Sequence, residues 1–404
     1  MHGSGASGVD GVSLSKIGIF VLLGCGMFTT VGLFSPGLVL PQMERHFAAT
    51  SNVTLLTELV GTLAGFAFAL GAPVAGGLVA RFGCRAVFLP ALTLFAAAGA
   101  APALLDSLWA ILASRVVLGL ALSAIFTGSL AGLGALRGDL RMSLFGWFSV
   151  VGGATAILLF PLIGIIGQHG WRPAFLVNLL ALPMLLPVLA LPGWLGIAAP
   201  RDAASASQGA ARGGLIGPAM LFLLLIAALA GMSMLIGPIY AAIFLTGIGV
   251  TDTHILAIPA TIGAVAAVAA SASYGRMHRA LGLYGIWAVS MMALGVGLVI
   301  AGTSSTMPLF TVGVVLASAM VALIAPNVSA TAMAISPPHL GAQAIGLANG
   351  VMFGAQLAFP FIAAWVRAAA GLSGLFLLFG LVMLVIGVGI GLRARAGRGA
   401  QATS

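Results

Sequence analysis

Residues 52–104 read NVTLLTELVGTLAGFAFALGAPVAGGLVARFGCRAVFLPALTLFAAAGAAPAL. Two apolar runs, 52–79 and 86–104, flank a turn in which Arg81 and Arg85 stand either side of Gly83. A helix rises about 1.5 Å per residue, so about 20 apolar residues cross the roughly 30 Å hydrocarbon core of a bilayer. Neither run shows the short alternating pattern of a barrel strand, and a backbone in lipid must pair internally as helix or closed barrel. The segment therefore reads as a helical hairpin in a membrane, turned at a basic loop.

The rest of the chain has the same character. Of its 404 residues, 61% are hydrophobic and only 6% are charged, with a mean hydropathy of +1.20. A soluble domain carries roughly 25% charged residues, so most of this surface faces lipid. The net charge of +9 does not indicate nucleic acid, because the basic residues punctuate the gaps between apolar runs and do not share one face. Cys25 falls inside the first run and Cys84 in a basic turn, which implies no disulfide framework. The Gly/Ser-rich residues 1–15 read as a disordered tail, after which the first span acts as its own insertion signal.

Apolar runs set against turn and charge breaks predict spans at 16–40, 52–79, 86–104, 107–134, 142–166 and 173–195, then 215–240, 253–274, 282–302, 308–334, 340–366 and 372–393. The expected architecture is all-α, with twelve transmembrane helices in two pseudo-symmetric six-helix bundles at 16–195 and 215–393. A polar linker at 196–214 joins them, and a basic tail occupies 394–404. With a cytoplasmic N-terminus, this layout puts 12 of the 16 basic residues inside, places Arg45, Arg172 and Arg367 outside, and leaves Arg115 within a span. That is the asymmetry the positive-inside rule demands, and it puts both termini in the cytoplasm.

The two halves echo each other. GGLVARFG at 76–83 returns as GRMHRALG at 275–282, an offset of 199, and Phe160-Pro161 returns at the same offset as Phe359-Pro360. Ser35-Pro36 and Gly237-Pro238 lie close to that spacing. Parallel six-helix repeats hold substrate between the halves near the midplane. Stripes of small residues, Gly61/Gly65/Ala69, Gly263/Ala267/Ser271 and Gly346/Gly350/Gly354, let helices approach closely; they serve either static packing or surfaces on which the halves rock.

On these residues the chain resembles the major facilitator superfamily over nearly its whole length. Gly76-Gly77-Leu78-Val79-Ala80-Arg81-Phe82-Gly83-Cys84-Arg85 is similar to that family's signature between helices 2 and 3, Arg115-Val116-Val117-Leu118-Gly119 to the arginine motif of its proton-driven branches, and Gly170-Trp171-Arg172-Pro173-Ala174-Phe175 to the turn that opens helix 6. The resemblance implies secondary transport, nearest to proton-coupled efflux, with Gly76, Arg81, Gly83, Arg85, Gly275, Arg279 and Gly282 serving conformational change. Two departures stand out. Ala80 replaces the family's acidic latch residue, and Phe160-Pro161 replaces the Gly-Pro pair of drug antiporters.

Charges within spans are costly and mark function by default. Arg115 lies inside helix 4, and Glu58 sits at matching depth in helix 2, each 22 residues before the position where its cytoplasmic turn begins (Ala80, Arg137). The expected role is proton coupling, with Glu58 taking and releasing the proton and Arg115 tuning it, since a nearby cation favours the carboxylate and burial favours the acid; a static brace is the plainer alternative. Arg115, Ser123, Thr127, Tyr240, Asn327, Asn349 and Gln356 form the expected substrate-binding set, though each also suits interhelical hydrogen bonding. The C-terminal half carries no buried charge in this reading. A mostly apolar cavity with one cation suits a lipophilic or weakly anionic organic molecule better than a sugar.

No Cys/His cluster has metal spacing and no phosphate loop or nucleophile elbow appears, so neither metal nor cofactor is expected. The expected partners are a small-molecule substrate, protons and the lipid bilayer of the bacterial inner membrane, with the chain acting as a monomer. Uptake or exchange of a small carboxylate with Arg115 as counter-charge is the alternative within transport. An intramembrane enzyme would need convergent catalytic groups that seven scattered acids do not supply, and a receptor would bind without counterflow.

Overall fold

The computed structural model describes residues 15–134, 138–193, 195, 217–337 and 341–402. The linker expected at 196–214 and nearly all of the N-terminal tail fall outside them. Seven described helices are long and apolar enough to cross a membrane, and three shorter apolar helices accompany them. Three of the seven, Val53–Ala103, Thr253–Thr303 and Phe359–Arg393, double back at a glycine, and the first part of the last continues the short helix Ala344–Leu357, so the described chain has twelve legs.

In chain order these are α1 (Lys16–His46), α2 (53–82), α3 (84–100), α4 (Leu108–Gly134), α5 (Gly138–Ile166), α6 (Pro173–Val188), α7 (218–247), α8 (253–281), α9 (283–303), α10 (Met307–Ile335), α11 (341–370) and α12 (372–402).

The reversals follow from backbone conformation. Gly83 (φ 79°, ψ 164°) and Gly282 (φ 68°, ψ 179°) interrupt otherwise continuous helix, in a region open essentially to glycine alone. Packing shows that the chain turns back there. Along α4, Gly119 meets Ala64 and Thr127 lies against Gly76, whereas Gly128 meets Phe88 and Gly132 meets Cys84. Rising along α4 therefore means rising along α2 and falling along α3. Likewise Gly263 and Tyr274 of α8 reach Ser318 and Asn327 of α10, while Trp287 and Gly297 of α9 reach Thr331 and Gly313. Gly170 and Gly371 form a second pair of positive-φ glycines, 201 residues apart, so the repeat extends beyond its sequence echoes.

Several legs are broken. α1 is interrupted at Cys25 and again by a 3-10 turn at Gly37–Val39 after Pro36. α7 is interrupted by a π-turn at Ile236–Tyr240 containing Pro238, the position that repeats Pro36. Proline removes a backbone donor and crowds the preceding turn. α6 is wound as 3-10 helix from Pro173 to Met184, and α12 runs to Ala402, past the expected end at 393.

Candidate functional site

The halves meet along two seams that the repeat exchanges with each other: α2 against α11, and α5 against α8. Both are closed toward the Glu58 end. On the first, a Cβ placed on Gly65 would stand 2.8 Å from Gln356 Oε1, and Phe68 lies edge-on to Phe353 at 5.5 Å. On the second, a Cβ on Gly164 would stand 2.8 Å from Ala257 and one on Gly167 2.7 Å from Thr253. Toward the Gly83 and Gly282 turns the seams part, and Gly346, Gly350 and Gly354 of α11 face open space.

A three-residue cluster spans the closed end. Glu58, fully buried, has Arg367 Nη1 at 2.6 Å from its Oε1. This is an ion-pair contact without the alignment of a hydrogen bond. Tyr240 donates its hydroxyl to Glu58 Oε2 at 2.7 Å, and the guanidinium of Arg367 lies over the Tyr240 ring at 5.8 Å. The acid comes from α2, the phenol from the π-turn of α7 and the cation from α11. Single-turn π segments are frequent at functional sites; here the turn ends in Tyr240, which ties α7 to the acid.

Arg367 corrects two expectations. It is not an outer-loop residue but a half-buried member of α11, and the C-terminal half does hold a charge in its interior. Its position against the positive-inside trend was the signal that could have singled it out, since it is the one arginine the layout puts outside in the C-terminal half and the only acid predicted within a span lies at similar depth.

Polar bridges flank the cluster. Gln42 of α1 donates to Thr253 Oγ1 of α8 at 2.6 Å and to the Gly167 carbonyl at 2.9 Å. Gln168 donates to Asp252 at 3.2 Å. That bond, with the backbone N–H of His254, holds the Asp252 carboxyl below its ordinary range.

Arg115 does not join Glu58. It is fully buried within the N-terminal half and donates through Nη2 to the carbonyls of Ala98 and Gly99, at 2.9 and 3.0 Å. Its guanidinium sits 5.1 Å over the ring of Phe175. These carbonyls lie in the last turn of α3, where a cation meets unpaired acceptors and the negative end of the helix dipole. Asn178 donates to the same Gly99 carbonyl at 3.3 Å. The arrangement holds α3, α4 and α6 together.

Between the parted seams lies a cavity of about 920 Å³, walled by both halves: Phe126, Trp147 and Val150 on one side, Ser271, Tyr274 and Asn349 on the other. It continues through Gly153, Ala267 and Ala322 into a narrower space of about 240 Å³ that reaches Phe34 and Phe160 toward the closed end. The surfaces are mainly apolar. Asn349 donates to Ser329 Oγ at 3.0 Å, and Tyr274 donates to Asn327 Oδ1 at 3.1 Å, so the polar lining is partly satisfied by itself.

Of the expected binding set, Asn349 lines this cavity and Asn327 lies behind Tyr274. Ser123 and Thr127 face Gly71 and Gly76 within the N-terminal half. Gln356 is packed in the α2–α11 seam, Tyr240 is at the closed end, and Arg115 lines neither space between the halves. Phe126, Trp147 and Tyr274 were not anticipated. An aromatic residue in a membrane helix is too common a signal to mark a cavity.

Of the expected conformational set, Gly83 and Gly282 form the turns. Arg81, Arg85 and Arg279 are exposed, with no ion pair among the described residues; Arg81 lies 5.2 Å over the Phe82 ring. Gly76 touches Thr127, and Gly275 has open space around it. Cys84, in the basic turn, is buried with its thiol toward the Gly128 carbonyl.

The sequence profile of the Major Facilitator Superfamily matches residues 20–295. A tetracenomycin C resistance and export protein of Streptomyces glaucescens is 34% identical over 182 residues, which make up 43% of this chain but only 31% of that protein. The fold resembles a D-xylose-proton symporter (TM-score 0.73, 16% identity, 93% of this chain and 95% of that one). It also resembles the xylose transporter XylE from E. coli in a partially occluded inward-open state (0.74, 14%, 93% and 98%). With the profile covering well over half its length and the fold matching end to end, this chain is a member of the Major Facilitator Superfamily.

Proposed function

We propose that the protein exports a small lipophilic organic solute by alternating access, driven by protons entering in exchange. The Gly83 and Gly282 turns face the cytoplasm, as the distribution of basic residues requires, and both termini lie on that side. The described conformation is then open inward and closed outward. The observation that carries the reading is the Glu58–Tyr240–Arg367 cluster: the only buried acid among the described residues bridges the halves at the closed end, beyond an apolar cavity.

The cycle follows from that geometry. Opening outward separates α2 from α7 and α11, breaks the ion pair and wets the carboxylate, which takes a proton from outside. Closing again buries Glu58 beside Arg367 and Tyr240 and seals the outer end, so a proton taken from outside can leave only toward the inward-open cavity. Proton entry on one face and exit on the other make this cluster the proposed point of coupling. Export of a lipophilic compound accords with the resistance and export activity named for the Streptomyces relative, of whose length the aligned segment spans about a third, and with a cavity too poor in free polar groups to hold a sugar. A pathway of this kind makes the protein a transporter, with no chemistry performed on its cargo.

The test is transport in proteoliposomes, with a lipophilic fluorescent dye as cargo and an imposed pH gradient. Glu58→Gln is expected to abolish gradient-driven accumulation while dye counterflow persists. Undiminished gradient-driven transport by this variant would refute the coupling role.

A further inference from the structure

We infer that the C-terminal half carries a second binding site, for an anionic phospholipid, separate from the path between the halves. A cavity of about 710 Å³ lies where the Gly282-end segments of α7, α9, α10 and α12 converge, and no residue of the N-terminal half lines it. Its size falls in the range of roughly 300–1,000 Å³ typical of sites that enclose an organic ligand.

The chemistry changes with depth. Phe222, Ile226, Ile335 and Ile386 make an apolar wall. The polar groups within it are already satisfied: Trp287 donates its indole N–H to Thr331 Oγ1 at 2.9 Å, and Thr331 donates to the Asn327 carbonyl at 2.7 Å. The buried part of an occupant finds no free polar partner and must be hydrocarbon. The rim differs. Arg393 is exposed, forms no ion pair among the described residues, and stands near the exposed ring of Tyr284. An arginine and a tyrosine at the mouth of an apolar slot, at the level where membrane helices end, match an acyl chain below and an anionic headgroup above.

The chain's own linker is poorly suited to fill this space. Residues 196–214 contain one large apolar side chain, Ile197, and Arg201 and Arg212 outnumber Asp202, so the segment offers little hydrocarbon and not the charge Arg393 lacks.

The experiment uses the delipidated full-length protein in detergent, titrated with phosphatidylglycerol or phosphatidylcholine of identical chains and followed by thermal melting. Phosphatidylglycerol is expected to bind more tightly and raise the melting temperature further. Arg393→Gln should weaken phosphatidylglycerol about five-fold, the worth of one basic residue against an anionic headgroup, and leave phosphatidylcholine unchanged. Arg276→Gln, a charge removed elsewhere on the same end, should preserve the preference. A Cβ on Gly389, which lines the cavity, meets nothing within 4 Å, so Gly389→Phe should plug the slot and weaken both lipids; Ile386→Trp serves the same purpose should that variant not fold. Equal responses to the two lipids in the unmodified protein, a preference that survives Arg393→Gln, or wild-type binding by the plugged variant would each overturn the assignment.

Discussion

Replacing Arg367 with methionine tests the outer cluster most directly. Methionine keeps much of the side-chain length and apolar contact but removes the cation, so Glu58 is left fully buried with only the Tyr240 hydroxyl. Removing one partner of a buried ion pair costs about 3–5 kcal/mol, because the remaining charge is uncompensated. That cost falls on the outward-closed conformation alone, since opening returns the carboxylate to water. At about 1.4 kcal/mol per factor of ten, the open population should rise by roughly two to three and a half orders of magnitude at a pH where Glu58 is charged. Acidification should reverse the change, since a protonated Glu58 has no charge to strand, and adding Glu58→Gln to Arg367→Met should reverse it at every pH. Ser107 and Ser305, both exposed, belong to different halves at the closed end. Cysteines placed there can carry spin labels, while the native Cys25 and Cys84 are buried beyond reach of the reagent. Pulsed dipolar distances should lengthen in Arg367→Met at alkaline pH, where Glu58 is charged, and shorten in acid. Distances that match the parent protein at both pH values would refute the argument.

Four further outcomes are expected. Gly83→Ala and Gly282→Ala both force alanine into a glycine backbone region, at about 1–3 kcal/mol each. Gly83→Ala should lower the melting temperature more, because its Cβ also collides with the Gly193 carbonyl whereas that of Gly282 meets nothing. Arg115→Met should cost about 1.5–3 kcal/mol of stability through the lost bonds to Ala98 and Gly99, yet leave pH-gradient-driven transport intact in the folded fraction; loss of coupling without loss of stability would assign it a different role. Ala325→Trp, set in the wall of the large cavity, should block dye transport while leaving phosphatidylglycerol binding unaltered, which two-site titration can check. Gln42→Leu should strand the hydrogen-bonding groups of Gly167 and Thr253 and raise outward-end opening in the same distance measurement, by less than Arg367→Met because no charge is uncovered.

Much of the fold was legible from residues 52–104 alone. Run lengths gave the spans, and the basic turn at Gly83 gave the first reversal. Its echo at Gly282 located the second, and the positive-φ backbone at both glycines supplies the physical cause. The site was legible only in part. Glu58, as the sole acid within a span, and Tyr240 were marked, yet their common partner Arg367 was assigned to a loop, because a helix end one residue too early moved it from the interior to the surface. Arg115 was marked as well, but depth along the axis says nothing about rotation. Its side chain turns into the N-terminal bundle to meet the end of α3, away from Glu58.

The sequence by itself determined what hydrophobicity and local backbone chemistry control: that the chain crosses a membrane as helices, where it turns, which end carries the basic loops, and that its two halves repeat. These depend on free energies summed over contiguous residues. Tertiary structure alone decided which faces look at one another, and therefore the Glu58–Tyr240–Arg367 cluster, the placement of Arg115 against the end of α3, the closed and open ends and both cavities. In lipid the outer face of a helix is as apolar as its packed face. No periodic contrast along the chain records rotation, and only the fit of one helix against the next can set it.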